Sequence, residues 1–138
     1  ELAYAADFRI GTPRVRIGNP ETGLGIIAPA GALWRLRDLV GEPLAKEILL
    51  AGRVLDAEEA LAAHLITRVS DPADLMSAAH ALADEIAAKD RRATQYTKSI
   101  MRVPRGEHPG IDLEAQAVLF ESPEKRRRMT EFLERRRT

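Results

Sequence analysis

The sequence contains no cysteine. That excludes disulfides, thiol nucleophiles and cysteine-based zinc sites together, and it fits a reducing cytoplasm, the expected compartment. Aromatic residues make up only 4% of the chain, so the core has to be aliphatic, built from Leu, Ile, Val and Ala. Net charge is also missing, since 21 basic residues balance 21 acidic ones. A nucleic-acid binder usually carries a basic excess, and no nucleic-acid partner is expected. No apolar run is long enough to cross a bilayer, no basic-then-apolar leader opens the chain, and no membrane partner is expected. The chain begins at Glu1 rather than at methionine, which suggests a fragment boundary or a trimmed start.

What remains is ordinary globular material. The 138 residues are 45% hydrophobic and 30% charged, a balance that argues against disorder. That length is one domain's worth, enough to bury roughly two thirds of the unfolded surface. Charge is uneven only near the end, where Arg126, Arg127, Arg128, Arg135, Arg136 and Arg137 crowd together.

The first thirty residues differ from the rest. Gly11, Gly18, Gly23 and Gly25, with Gly31 just beyond, and Pro13, Pro20 and Pro29 interrupt short alternating stretches, Phe8–Ile10 and Val15–Ile17. This is strand-and-loop material. From residue 31 the pattern turns helical. Leu33, Leu36 and Val40 recur at helical spacing, and Pro43 opens a second helix that runs to Gly52. Asp56 with Glu59 reads as a capping box for a helix from Ala57 to about His64. Asp71–Pro72 opens the longest helix, with Leu75, Ala79, Leu82, Ala83 and Ile86 on one stripe. A helix carrying Ala93, Tyr96, Ile100 and Met101 stops at Pro104. A turn at Pro109–Gly110 precedes another from Leu113 to Phe120, and Ser122–Pro123 caps a last one with Met129, Phe132 and Leu133. The class is therefore α/β but lopsided, with one or two strands followed by about six helices. The chain divides into residues 1–30 and a helical part, 31–138. Two strands alone are marginal, so they should need partners from outside this chain.

Few residues offer chemistry. His64, His80 and His108 show no i,i+4 pair, so no metal site is expected. His64 falls where a helix should end, and a left-handed conformation explains it more simply. Gly23-Leu24-Gly25-Ile26-Ile27-Ala28 formally matches a dinucleotide fingerprint. Pro29 sits where the phosphate-binding helix should be under way, so these are structural glycines at a turn and no cofactor is expected. No serine sits in a nucleophile elbow. Carboxylates remain. Pro20 biases Asn19 to an extended conformation, so Glu21 leaves a strand end in a loop, where function concentrates. On these grounds alone a solvated loop acid is the better explanation of Glu21, and Glu1 by itself means nothing. As a pair the two acquire meaning, because neighbouring carboxylates can divide the roles of base and acid.

Longer motifs sharpen this. Glu1-Leu2-Ala3 through Asp7 to Arg9-Ile10 resembles E-L-A-x-x-C-D-x-R-I of the enoyl-CoA hydratase/isomerase (crotonase) family, with Ala6 for the frequent cysteine. Gly18-Asn19-Pro20-Glu21 through Leu24-Gly25-Ile26 is similar to G-x-P-E-x-x-L-G-I. Arg35-Leu36, Val40-Gly41, Gly52-Arg53, Ala57 to Ala60 and Ser122 to Arg126 continue the resemblance along essentially the whole chain.

The resemblance implies a crotonase-like spiral fold, represented here by its C-terminal part. It implies hydration of a trans-2-enoyl-CoA in fatty-acid or acyl-CoA metabolism, with the coenzyme A thioester as substrate and no other cofactor. Glu1 would activate the water and Glu21 would deliver the proton to C2, while Pro20, Gly25, Ala30 and Gly31 would line the substrate pocket. Isomerisation and a catalytically silent oligomerisation fragment are the alternatives; carrying both glutamates favours hydration. A homotrimer or a hexamer of paired trimers is implied, together with an N-terminal half that supplies the oxyanion N–H groups. Ala30 replaces a glycine of the family pattern, and His64 another.

Overall fold

The computed structural model describes residues 1–103 and 108–135, without the side chains of His108, Pro109, Asp112 and Phe132. The chain forms two compact units, Glu1–His80 and Ala81–Thr138.

The first unit opens with a one-turn helix, α1 (Leu2–Ala5), and two short strands, β1 (Ile10–Gly11) and β2 (Ile17–Gly18). A 3-10 turn spans Glu21–Leu24, and helices α2 (Ala32–Val40) and α3 (Glu42–Leu50) follow. Then come β3 (Val54–Leu55), α4 (Ala57–Ala62) and β4 (Arg68–Val69). The boundary between the units falls inside α5 (Leu75–Ala87).

The strands find partners within this chain, which corrects the expectation that they must come from outside. β1 pairs parallel with β4, matching Ile10 to Arg68 and Gly11 to Val69. β2 pairs antiparallel with β3, matching Ile17 to Leu55 and Gly18 to Val54. Both partners lie in the stretch read as helical. A two-residue strand is too short to display alternation, so periodicity has nothing to register. Gly18 is required where it stands, because a Cβ there would lie 2.7 Å from the Arg53 carbonyl oxygen. In the opening segment, α1 and the 3-10 turn also replace what reads as loop.

The core is aliphatic, as the composition demands, apart from Tyr4. That tyrosine packs with Ala28, Ala32, Leu36, Ala45, Ile48, Leu55, Ala60, Leu65 and Ile66. The helix signals hold where a side chain makes a specific bond. Asp56 accepts from the Glu59 N–H at 3.0 Å while the Glu59 carboxylate accepts from the Asp56 N–H at 3.1 Å, closing the capping box. His64 is left-handed, with φ +57°. Along α5, Leu75, Ala79, Leu82 and Ile86 are half-buried, and Ala83 is exposed.

The second unit contains α6 (Arg91–Ile100), α7 (His108–Phe120) and α8 (Pro123–Arg135). The expected turn at Pro109–Gly110 is instead the first turn of α7, where a proline's missing N–H costs nothing. Asp90 caps α6 through the Ala93 N–H at 2.7 Å, and Ser122 caps α8 through the Lys125 N–H at 3.1 Å. The arginine-rich tail is matched by carboxylates. Arg127 pairs with Glu124 and Glu131, Arg128 with Glu124, and Arg126 with Glu121. Pro104, Arg136 and Arg137 lie outside the described residues. No described helix is long and apolar enough to cross a membrane.

Candidate active site

Glu1 is the N-cap residue of α1, so its position follows from whatever holds that single turn. Arg9 does so. Its Nε–H donates to the Leu65 carbonyl at 2.6 Å, and Nη1 donates to the carbonyls of Ala6 at 2.6 Å and Ala3 at 3.4 Å. The Ala3 carbonyl also accepts from the Ala6 N–H at 3.3 Å, while the Ala6 carbonyl belongs to the residue that ends the helix, where such groups need partners from outside it. The guanidinium is thereby buried, which pulls its pKa down from the ordinary value, while the charge of Asp7 works in the opposite direction. The Arg9 carbonyl is fixed in turn by the N–H and hydroxyl of Thr67, at 2.9 and 3.1 Å.

Glu21 opens the 3-10 turn directly after Pro20. Gly25 closes that turn in the left-handed region at φ +76°, and its N–H donates to Thr22. The Thr22 hydroxyl donates to the carbonyl of Leu49 at 3.0 Å, fastening the turn to the end of α3. The glutamates thus hang from different elements: Glu1 depends on Leu65 through Arg9, and Glu21 depends on α3 through Thr22.

Tyr4 and Asn19 connect the two. The Tyr4 hydroxyl donates to Asn19 Oδ1 at 2.7 Å, and Asn19 Nδ2 donates to Glu21 Oε1 at 3.4 Å. Both residues are buried, Tyr4 at 4% and Asn19 at 2% exposure. Burial pushes the Tyr4 phenol up to about 12, and the negative charges of Glu21 and then Glu1 add to it. Both carboxylates therefore act on one phenol. Glu1 Oε1 and Glu21 Oε2 are buried and accept no hydrogen bond from the protein. Buried acceptors normally find donors, and leaving one unsatisfied costs about 1–3 kcal/mol. Each of the two oxygens can still accept a donor from outside the protein.

The remaining candidates lie along the segment from Pro20 to Gly31. Pro20 and Gly25 flank the 3-10 turn, while Ala30 and Gly31 form a left-handed pair, φ +50° and +80°, at the start of α2. A Cβ on Gly31 would approach Trp34 Nε1 to 2.8 Å, so the indole would have to shift, and the φ itself favours glycine. The Arg35 guanidinium lies 4.1 Å from the Trp34 ring centre. Around this turn Leu24, Ile26, Ile27, Leu33 and Trp34 are exposed, Leu24 by 75% and Ile27 by 70%. A cavity of about 490 Å³ opens in the second unit, lined by Ala93, Leu119, Phe120, Lys125, Arg128 and Met129. It contains neither glutamate.

Sequence reasoning singles out Glu1 and Glu21 but misses Tyr4, Asn19, Arg9 and Thr22 as the residues that hold them. Asn19 beside Pro20 is the nearest thing to a signal, since a polar residue ahead of a strand-end glutamate can reach it. Nothing in the sequence shows that its amide is buried.

Comparison with known proteins places the chain among relatives. The sequence profile of the enoyl-CoA hydratase/isomerase family matches residues 1–138. The chain is 33% identical over 141 residues to a crotonyl-CoA hydratase of Syntrophomonas wolfei, covering 99% of this chain and 54% of that protein. It is 33% identical over 143 residues to a short-chain-enoyl-CoA hydratase of Clostridium acetobutylicum, with the same coverage. Among solved structures, an enoyl-CoA hydratase/isomerase from Cupriavidus metallidurans superposes with a TM-score of 0.89 at 28% identity, over 97% of this chain and 52% of that one. An enoyl-CoA hydratase from Bacillus anthracis gives 0.86 at 28% identity, over 97% and 54%. The chain spans about half the length of the relatives it matches. Its fold is the corresponding part of the crotonase fold, and the chain belongs to the enoyl-CoA hydratase/isomerase family.

Proposed function

We propose that the protein carrying this chain is an enoyl-CoA hydratase that adds water across C2=C3 of a trans-2-enoyl thioester. The observation that carries this reading is the pair of buried carboxylate oxygens, Glu1 Oε1 and Glu21 Oε2, each lacking a hydrogen-bond donor in the protein. One water held between them would satisfy both. In the forward direction the water oxygen bonds to C3 and its proton passes to Glu1. Glu21 gives its proton to C2, and the C2=C3 electron pair forms the new C–H bond. Glu1 is then protonated and Glu21 ionised, so a proton returns from Glu1 to Glu21 to reset the pair. Negative charge that builds on the thioester oxygen requires N–H donors. In this reading they come from the part of the protein that precedes Glu1. Coenzyme A arrives on the substrate, and no further cofactor or metal is needed.

The names of the relatives support hydration and make crotonyl-CoA the first substrate to test. A family that includes isomerases keeps the double-bond shift as the competing reaction, and product analysis separates a 3-hydroxyacyl-CoA from a moved double bond. The exposed apolar group from Leu24 to Trp34 supports a larger assembly, because patches of this kind mark surfaces that become covered. The preceding half of the chain, the acyl group and a homotrimer or paired trimers are the proposed cover. The setting we propose is cytoplasmic acyl-CoA metabolism.

In the full-length protein, Glu1→Gln and Glu21→Gln should each lower kcat for crotonyl-CoA hydration by roughly 10² to 10⁴. The decay of enoyl-thioester absorbance reports the rate. Unchanged kcat in both variants would overturn the assignment.

A further inference from the structure

Asn19 is buried and has one neighbour of fixed polarity. Glu21 Oε1, as a carboxylate oxygen, accepts from Asn19 Nδ2 at 3.4 Å. With NH2 aimed at Glu21, the amide oxygen must face the other way, where the Tyr4 hydroxyl donates to it at 2.7 Å. Turning the amide over would set its oxygen against a carboxylate oxygen and its NH2 against the phenol. The carboxylate opposes that rotation, and the Tyr4 hydroxyl, which can donate or accept, donates to the amide oxygen and tethers the amide in that orientation. Tyr4 itself lies in α1, one turn from Glu1, and is 4% exposed. The chain of bonds therefore runs from the Glu1 helix through Asn19 to Glu21.

The two Glu21 oxygens are not equivalent. Oε1 accepts from Asn19, while Oε2 is buried and accepts nothing from the protein. A hydrogen-bonded acceptor disfavours the proton on Oε1 and leaves Oε2 to carry it. The Asn19 contact is long for an amide–carboxylate bond, as catalytic hydrogen bonds often are before substrate tightens them.

We propose that Tyr4 is a positioning residue: acting through Asn19, it anchors Glu21 Oε1 so that Oε2 presents the proton to the substrate. This inference rests on the hydratase reading for its kinetic consequence but not for its geometry. Tyr4 touches neither substrate nor water. It sets which oxygen of Glu21 does.

The test is a double-mutant cycle in the full-length protein with Tyr4→Phe and Asn19→Ala. Phenylalanine fills the same volume and removes only the hydroxyl, so the core packing of the ring is retained. Each single variant should lower kcat for crotonyl-CoA about tenfold, with KM changed less than about twofold. The double variant should lose no more than either single one, since both break the same connection. A crystal structure of the Tyr4→Phe protein should show the Glu21 carboxylate out of hydrogen-bond distance of Asn19. Additive losses, or a rise in KM with kcat intact, would overturn the proposal. If Tyr4→Phe fails to fold, the kcat and KM of Asn19→Ala decide by the same criterion. If wild type hydrates nothing, the hydratase reading fails by itself, and the position of Glu21 in the Tyr4→Phe structure still decides the positioning role. A Glu21 side chain that stays on Asn19 refutes it.

Discussion

At the scale of single residues, Tyr4 reports on both glutamates at once. Its phenol is raised from 10.0 to about 12, by burial first and then by the charges of Glu21 and Glu1. The folded state therefore holds the proton more tightly than the unfolded chain does. The resulting stability is complete below pH 10, where phenols in both states are protonated, and is lost as pH rises through about 12. Its full size is on the order of 2–3 kcal/mol. Unfolding followed across that alkaline window should show the decline, and Tyr4→Phe should flatten it. Glu21→Gln removes one of the charges, so the Tyr4 ring-carbon NMR signal should titrate at lower pH. An unmoved midpoint would mean that Glu21 does not act on the phenol. Ala30 and His64 show a different residue-level economy: each takes a left-handed φ that costs roughly 1–2 kcal/mol beyond glycine. The His64 strain follows from its place at the end of a helix and is readable from sequence. The burial that shifts Tyr4 is not, because it depends on Leu65 and Ile66, which join the same core from some sixty residues further along.

Elements differ in how well the sequence announces them. Helices α2 to α4 were legible because caps and periodicity are local: Asp56 and Glu59 sit three residues apart and bond to one another whatever surrounds them. Replacing Asp56 with Ala should destabilise the first unit by about 1 kcal/mol, read as a lower urea midpoint at unchanged m-value. Arg53→Ala should cost less, although Arg53 bonds both Glu47 and Glu59, because those pairs are open to solvent and screened. Strands β3 and β4 were not legible, since each consists of two residues and exists through its partner. The same holds for α1, a single turn that persists because Arg9 completes its hydrogen bonding. Such elements are specified by tertiary contacts, and a local pattern carries no trace of them.

For the whole molecule, the motifs around Glu1 and Glu21 were enough to place the chain in its family, and the profile match over residues 1–138 agrees. Motifs preserve the identity of reacting groups. They say less about support, which is why Tyr4, Asn19 and Thr22 emerged only in three dimensions. The chain spans about half the length of its relatives, and that sets an expectation for activity. The proposed acid–base pair, without donors for the thioester oxygen, would lack the largest usual contribution to acyl chemistry. Loss of one such donor costs about 10² to 10³ in kcat. A purified chain of these 138 residues should give no measurable turnover of crotonyl-CoA, while the full-length protein turns it over. Turnover by the short chain would show that oxyanion donors lie within it.

The Arg9 tether also has a consequence in time. Proteins leave the ribosome from the N-terminus, and Arg9 emerges 56 residues ahead of the Leu65 carbonyl that it must reach. At the usual 5–20 residues per second, that interval is roughly 3 to 11 seconds. Thr22 waits only 27 residues for Leu49, so the turn bearing Glu21 can be fastened while the segment bearing Glu1 is still unanchored. During the wait, the Arg9 guanidinium lacks the Leu65 carbonyl. The segment bearing Glu1, made before the turn bearing Glu21, is thus anchored after it, and a translational pause anywhere before Leu65 lengthens that interval.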